Sequence, residues 1–148
     1  MERHKATRIK VHGYHCDFYG HVNNARYLEF YEEDRWAWLD QAVDLRRWMA
    51  KGLTFAIVNI NVNYRKSVVI GTAIEVRTSL EKIGEHSATL RQEIILLESG
   101  EIASDALITF VIADKNGRAL AMKAEVEEVQ ELLSLIRAMS RPDANHQT

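Results

Sequence analysis

The chain has 148 residues, the size of one ordinary globular domain and enough to bury a hydrophobic core. Its 19 basic and 21 acidic side chains leave a formal net charge of −2, which excludes a strong positive field for nucleic acid or an anionic membrane. The single cysteine excludes an internal disulfide, and no apolar run is long enough to cross a membrane. A cytoplasmic, soluble protein is expected.

The first predicted elements are a short strand and a long helix, joined by a polar loop that contains Asp17. Residues 8–14 alternate between apolar and polar side chains, which predicts a half-buried strand. Apolar residues then recur at three- and four-residue spacing, which predicts an amphipathic helix from about residue 23 to residue 39 or a little beyond. The apolar positions of this helix are Val22, Ala25, Leu28, Trp36, Leu39 and Val43. Asn23 or Asn24 can cap it, because either side-chain oxygen can accept a backbone N–H of the first turn.

After the helix the apolar period changes to two, which predicts a series of strands. The predicted strands cover residues 54–66, 73–82, 86–97 and 102–113. Glycine-containing turns separate them, so consecutive strands are expected to pair antiparallel. A final amphipathic helix spans residues 126–139 and is closed by Pro142, and residues 1–7 and 140–148 are predicted to be flexible tails. The order of elements predicts an α+β domain with one apolar sheet face covered by the long helix.

The loop before the helix combines residues suited to carbonyl chemistry. It reads Asp17-Phe-Tyr-Gly-His-Val-Asn-Asn-Ala-Arg-Tyr-Leu-Glu and places a carboxylate shortly before the positive end of a helix. A carboxylate beside free backbone N–H groups can attack a carbonyl while the N–H groups polarise it. An ordinary loop and helix cap contain the same residue types, so the pattern alone leaves both interpretations open.

The motif Asp-x-x-Gly-His-Val-Asn-Asn-x-x-Tyr-Leu resembles the signature of hotdog-fold acyl-CoA thioesterases of the 4-hydroxybenzoyl-CoA thioesterase-like family. Other segments, in the same order, resemble the acyl-CoA thioesterase III (FadM-type) branch of that family. They are Val11-His-Gly-Tyr-His, Tyr27-Leu-Glu-Phe, Arg35-Trp-Ala-Trp, Asn59-Ile-Asn-Val-Asn-Tyr-Arg and Asp105-Ala-Leu-Ile-Thr-Phe-Val. The resemblance covers residues 8–138. It implies a single hotdog thioesterase domain over residues 1–148, in which an antiparallel five-stranded sheet wraps around a long central helix and a C-terminal helix follows.

The resemblance also implies a reaction, the hydrolysis of a medium- to long-chain fatty acyl-CoA to free acid and coenzyme A without a cofactor. Asp17 would be the catalytic residue, either as a general base on water or as a nucleophile that forms a mixed anhydride. Other residues would hold the loop or polarise the thioester carbonyl. These are Gly20, His21, Val22, Asn23, Asn24 and Tyr27.

A second group of residues is predicted to bind the substrate. It comprises Glu32, Asn61, Asn63, Tyr64, Arg65 and Lys66. Arg65 and Lys66 end the second strand, where their charges suit the phosphates of coenzyme A, although a solvated basic turn is the common alternative. The family often has proline two residues after Arg65, and this chain has Ser67 there. The family works as dimers or tetramers, so a homodimer or homotetramer is expected, with one of the strand asparagines facing the partner.

Glu32 falls in the middle of the predicted buried stripe of the long helix. A carboxylate in that position is costly unless it is paired or protonated, so Glu32 is predicted to be a hydrogen-bond partner or part of the acyl pocket. The alternative is a rotated helix that exposes Glu32. With the predicted phase, Tyr27, Tyr31 and Trp38 lie on an exposed side and indicate an oligomer contact.

The sequence also bears on a metal site and on two alternative functions. His12, His15, Cys16, Asp17 and His21 are metal-ligand types, but no second cluster completes a ligand set, so no metal site is predicted. A non-catalytic acyl-CoA-binding or acyl-CoA-sensing domain would not need the carboxylate of Asp17. A hydratase or dehydratase of the same fold usually relies on a paired Asp and His in another context, which this chain lacks.

Overall fold

The computed structural model describes residues 6–139. Within this range the helices are α1 (Asn24–Ala42), α2 (Leu45–Ala50) and α3 (Glu127–Ala138), and a 3₁₀ turn covers Gly13–His15. The strands are β1 (Thr7–Lys10), β2 (Thr54–Tyr64), β3 (Ala73–Ile83), β4 (Ala88–Leu96) and β5 (Ile102–Ala113). They form a sheet in the order β1-β3-β4-β5-β2, so β1 and β2 are its edge strands. No helix of the described range has the length and apolar character needed to cross a membrane.

The chain divides into two compact units, and β2 to β5 contribute residues to both. In the described range, the first unit comprises residues 6–41, 61–78 and 92–106. The second unit comprises residues 42–60, 79–91 and 107–139. The predicted tail residues 1–5 and 140–148, including Pro142, lie outside the described residues.

The predicted strands and helices are present, with one clear difference at the first strand. β1 pairs antiparallel with β3, with Thr7 opposite Val76, but it ends at Lys10 instead of continuing to residue 14. Val11 still makes backbone hydrogen bonds to Thr72 and Gly71, and the chain then turns at Gly13–His15, where the ring Nδ1 of His15 accepts the backbone N–H of His12 at 2.9 Å. This local side-chain bond replaces the ladder bonds that a longer strand would have made.

The predicted phase of the long helix α1 is wrong. Its buried residues are Tyr27, Phe30, Tyr31, Asp34, Arg35, Trp38 and Leu39. At 100° per residue, the first six of these occupy an arc of about 140°, rotated by roughly a third of a turn from the predicted stripe. Leu28 and Trp36, both predicted to be buried, are 37% and 47% exposed. Glu32 is exposed, so the prediction of a buried carboxylate at this position is wrong, and so is the prediction that Tyr27, Tyr31 and Trp38 form an exposed strip.

Hydrogen bonding explains why two charged residues lie on the buried face of α1. One oxygen of Asp34 accepts the backbone N–H of Thr7 at 3.1 Å and its hydroxyl at 2.7 Å, and the other accepts the hydroxyl of Thr78. Nη1 of Arg35 donates to Oε1 of Gln92 at 2.9 Å. Burial lowers the pKa of Arg35, and the nearby carboxylates of Glu32 and Asp34 oppose that shift. Buried polar groups with such partners avoid the full desolvation cost, so charge alone does not mark the solvent side of this helix.

The second unit contains a buried carboxylate that connects two helices. The side chain of Glu128, at the start of α3, is 1% exposed and lies 2.7 Å from Nζ of Lys51 and 3.1 Å from Nη2 of Arg47. The hydrogen bond from Lys51 is the main reason that the pKa of Glu128 is lowered. The apolar face predicted for this helix is confirmed at Val129, Leu132, Leu133 and Ile136.

Candidate active site

Asp17 lies on a tight loop that is closed by backbone hydrogen bonds. Its N–H donates to the carbonyl of His21 at 2.8 Å, and its carbonyl accepts the N–H of Gly20 at 3.0 Å. Gly20 has φ +76, a conformation that side-chain-bearing residues rarely adopt. Oδ1 of Asp17 accepts the N–H of Tyr19 at 2.9 Å, which fixes the orientation of the carboxylate. The loop therefore presents an exposed carboxylate from a constrained backbone.

The helix α1 begins directly after this loop, and Asn23 is its N-cap. Oδ1 of Asn23 accepts the N–H of Ala25 at 3.0 Å, while Asn24 is the first helical residue. Of the two caps that the sequence allowed, the structure therefore uses Asn23. The positive end of a helix of 19 residues lies six residues along the chain from Asp17.

Some of the predicted carbonyl-polarising N–H groups are already engaged. The engaged groups are those of Gly20 with the carbonyl of Asp17, Val22 with Val68 at 2.8 Å, and Asn23 with His15 at 2.9 Å. Among residues 6–139, the backbone N–H groups of His21 and Asn24 donate to no protein group. These two N–H groups are therefore available to an oxygen of a ligand.

A cavity of about 220 Å³ joins the loop, the start of α1 and the end of β2. It is lined by Asp17, His21, Val22, Asn24, Tyr27, Tyr64, Arg65, Lys66 and Ser67. The cavity thus brings together Asp17, part of the predicted carbonyl-polarising group and three of the predicted substrate-binding residues. Gly20 and Asn23 support it through backbone and capping bonds without lining it, and Glu32, Asn61 and Asn63 are not part of its lining.

Two tyrosines connect the end of β2 to the first turn of α1. The hydroxyl of Tyr64 donates to the carbonyl of Asn24 at 3.1 Å, and its ring lies edge-on to that of Tyr27, with centroids 5.0 Å apart. Tyr27 is buried, and burial raises its pKa despite a hydrogen bond with the backbone of Val68. Tyr27 therefore stays protonated at neutral pH and forms part of the cavity wall.

Both cations at the end of β2 are paired with carboxylates. Nε and Nη2 of Arg65 donate to Asp105, and Nζ of Lys66 donates to both oxygens of Glu101 at 2.7 Å. Asp105 raises the pKa of Arg65, and Lys66 lowers the pKa of Glu101. The sequence interpretation missed these two acids, which lie 40 and 35 residues away along the chain. Only the pairing of β2 with β5 brings them close.

Two of the histidines near Asp17, His12 and His15, and the cysteine have structural contacts. Nδ1 of His15 accepts the N–H of His12, and Sγ of Cys16 lies 3.7 Å from the carbonyl of His12. In the described part of the chain, no group of three or more His, Cys, Asp or Glu side chains is arranged to hold a metal ion.

Comparisons with known proteins show which family the chain belongs to. Residues 11–134 match the family model described as the thioesterase-like superfamily. The chain is 46% identical over 127 residues to the long-chain acyl-CoA thioesterase FadM of Escherichia coli K12, covering 84% of this chain and 96% of that protein.

Solved structures with the same fold include thioesterases. The crystal structure of YbaW, a probable thioesterase from Escherichia coli, has a TM-score of 0.79 and 41% identity, covering 93% of this chain and 100% of that one. A 1,4-dihydroxy-2-naphthoyl-CoA thioesterase from Synechocystis has a TM-score of 0.78 at 16% identity, with 93% and 98% coverage, and supports the fold alone. The predicted hotdog fold is confirmed. The chain belongs to the thioesterase-like superfamily.

Proposed function

We propose that this chain hydrolyses a medium- to long-chain fatty acyl-CoA to free acid and coenzyme A, with Asp17 as its catalytic residue. The predicted class of enzyme, an acyl-CoA thioesterase, is confirmed by the family match and by the 46% identity to FadM. The observation that carries the residue assignment is the shared cavity. It combines the carboxylate of Asp17, the start of α1 with the free N–H groups of His21 and Asn24, and two cations.

These groups suit the steps of thioester hydrolysis. The N–H groups of His21 and Asn24 donate to the thioester carbonyl oxygen, where negative charge develops during attack. Asp17 either removes a proton from the attacking water or attacks the carbonyl carbon itself and forms a mixed anhydride. In both routes the carbon–sulfur bond breaks and coenzyme A leaves as a thiolate. In the first route the thiolate takes the proton that Asp17 removed from water. In the second route water attacks the anhydride, which releases the free acid and supplies the proton for the thiolate.

The end of β2 suits the other end of the substrate. Arg65 and Lys66 carry positive charge at the cavity, where the phosphates of coenzyme A are expected to bind. Tyr64 lies between these cations and Asn24, along the path expected for the pantetheine chain. Asn61 is exposed on the edge strand, so it is proposed to face a partner subunit.

We propose that the active form is a homodimer or homotetramer acting in the cytoplasm, with each chain forming one thioesterase domain. The cavity of about 220 Å³ is smaller than the ~300–1,000 Å³ of ordinary ligand pockets, so further walls must enclose a long acyl-CoA. The edge strand β2 has 11 residues and leaves Val58 57% and Ile60 38% exposed, which favours pairing with a second copy. Sedimentation should show an active species heavier than the 17.0 kDa chain, and a fully active monomer would contradict this proposal.

The reaction is tested by measuring thiol release across acyl-CoA chain lengths. Asp17→Asn should lower kcat about a hundredfold or more and change KM less, because the carboxylate acts mainly in the transition state. Asp40→Asn, which alters an exposed carboxylate of α1 in the same way, is the matched control. Near-normal turnover of Asp17→Asn refutes the assignment. Tight binding of acyl-CoA by the native protein without thiol release favours the sensing alternative.

A single turnover in ¹⁸O-labelled water tests the nucleophilic role of Asp17, because label in its carboxyl group can arise only through a mixed anhydride. A general base delivers one labelled oxygen from water to the free acid in the first turnover. Label in the carboxyl group of Asp17 is expected only when a mixed anhydride forms and water attacks its Asp17 side. Mass spectrometry of the peptide containing Asp17 measures that label directly.

A further inference from the structure

Asp105, on β5, connects the polar side chains at the end of β2. One of its oxygens accepts Nδ2 of Asn63 at 3.0 Å, and the carboxylate accepts both Nε and Nη2 of Arg65, the latter at 3.3 Å. The backbone N–H of Arg65 is also fixed, because it donates to the carbonyl of Ala103 at 2.9 Å. The side chain of Asp105 is 15% exposed, whereas that of Arg65 is 55% exposed. A largely buried carboxylate therefore fixes one edge of an accessible guanidinium.

The contact leaves Arg65 able to bind an anion at the same time. A guanidinium has five N–H donors, and Asp105 occupies the edge formed by Nε and Nη2. Both hydrogens of Nη1 and one of Nη2 remain for another acceptor. Arg65 lines the cavity that contains Asp17, so these donors belong to the rim of the proposed active site. Fixing the guanidinium plane in advance reduces the entropy lost when a phosphate binds.

We propose that Asp105 is a positioning residue that orients Arg65 for the phosphates of coenzyme A and thereby sets the preference for CoA thioesters over thioesters without phosphate. The proposal rests on the proposed function of Arg65.

The neighbouring pair of Lys66 and Glu101 differs in a way that supplies a control. Their side chains are 48% and 52% exposed, and an ion pair at such a surface is weak and easily exchanged. Glu101 can therefore at most compete with the phosphates of coenzyme A for Lys66. Asp105→Asn and Glu101→Gln each remove one negative charge from the rim, but only the first disturbs the contact that orients Arg65.

The experiment compares KM and kcat for one acyl group on coenzyme A and on N-acetylcysteamine, which carries the thioester without phosphates. Asp105→Asn should raise the KM for acyl-CoA about tenfold more than the KM for the N-acetylcysteamine thioester. Glu101→Gln should leave the KM for acyl-CoA the same or lower it. If removal of negative charge were the only effect, both variants would lower the KM for acyl-CoA.

Variants of Arg65 separate failure of this inference from failure of the proposed function. Arg65→Ala should raise the KM for acyl-CoA selectively, and adding Asp105→Asn should raise it no further, because both changes remove one interaction. Arg65→Lys keeps the charge but cannot donate to a carboxylate and a phosphate in one plane, so it should resemble Arg65→Ala. This variant also tests the positioning role if Asp105→Asn does not fold.

Each outcome has a defined meaning. Absence of a selective effect in Arg65→Ala refutes the proposed role of Arg65, and the inference about Asp105 with it. A selective effect in Arg65→Ala combined with an unchanged or lowered KM in Asp105→Asn overturns the positioning role alone. Normal CoA preference in Arg65→Lys also overturns it. If the native protein releases no thiol from either substrate, the proposed function itself fails.

Discussion

Tyr31 and Ser104 form a fully buried hydrogen bond between α1 and β5, and removing it tests the observed phase of the helix. The hydroxyl of Tyr31 donates to Oγ of Ser104 at 2.6 Å, and both residues are 0% exposed. Burial raises the pKa of Tyr31, so the hydroxyl remains a donor at all ordinary pH values. Tyr31→Phe leaves Oγ of Ser104 without this partner in a dry environment, which should cost about 1–3 kcal/mol of unfolding free energy.

The corresponding change Ser104→Ala should cost a similar amount, because it leaves the Tyr31 hydroxyl unpaired. The double variant removes both polar groups, so its cost should fall short of the sum of the single costs by about 1–2 kcal/mol. Equilibrium urea unfolding at one fixed protein concentration measures all four free energies. Additive single costs, or a neutral Tyr31→Phe, would show that this face of α1 does not contact β5 as described.

Two further predictions concern Glu32 and His15. Glu32→Gln and Glu32→Ala should keep unfolding free energies within about 0.5 kcal/mol of wild type, since Glu32 is exposed. A loss of several kcal/mol in urea unfolding would show instead that Glu32 is buried. Burial lowers the pKa of His15 from 6.5, so its stabilising contribution is complete above that pH and is lost as the pH falls through the lower folded-state pKa. Between about pH 7.5 and 5.5, the urea midpoint should therefore fall more steeply for wild type than for His15→Asn. The variant His86→Asn, which changes an exposed histidine, is the control. Equal slopes for wild type and His15→Asn would contradict the reasoning.

The order of helices and strands could be predicted because local pattern determines it. β5 occupies the predicted residues and β2 ends two residues before its predicted end, since alternating side chains and flanking turns are features of the local sequence. The phase of α1 could not be obtained in this way. Asp34 and Arg35 appear solvent-facing in any apolar pattern, but their partners Thr7, Thr78 and Gln92 come from distant parts of the chain.

The same distinction applies to the candidate site. The motif around Asp17 is contiguous, and the predicted residues His21, Asn24 and Tyr27 line one cavity with it. The resemblance also suggested Arg65 and Lys66, which lie at that cavity. The acids that neutralise them could not be identified from sequence, because they approach only through strand pairing. Sequence thus identified the residues of the candidate loop, and tertiary contacts determined the charge around it.

The alternation of engaged and free N–H groups before α1 has a consequence for amide hydrogen exchange. The amides of Val22 and Asn23 are bonded to the carbonyls of Val68 and His15 and should exchange only when the loop opens, whereas those of His21 and Asn24 can exchange with the loop closed. Fast and slow amides therefore adjoin within four residues. A bound carbonyl oxygen should slow the two fast amides and leave the two slow ones near their original rates, so exchange at these positions can report ligand contact without any catalytic turnover.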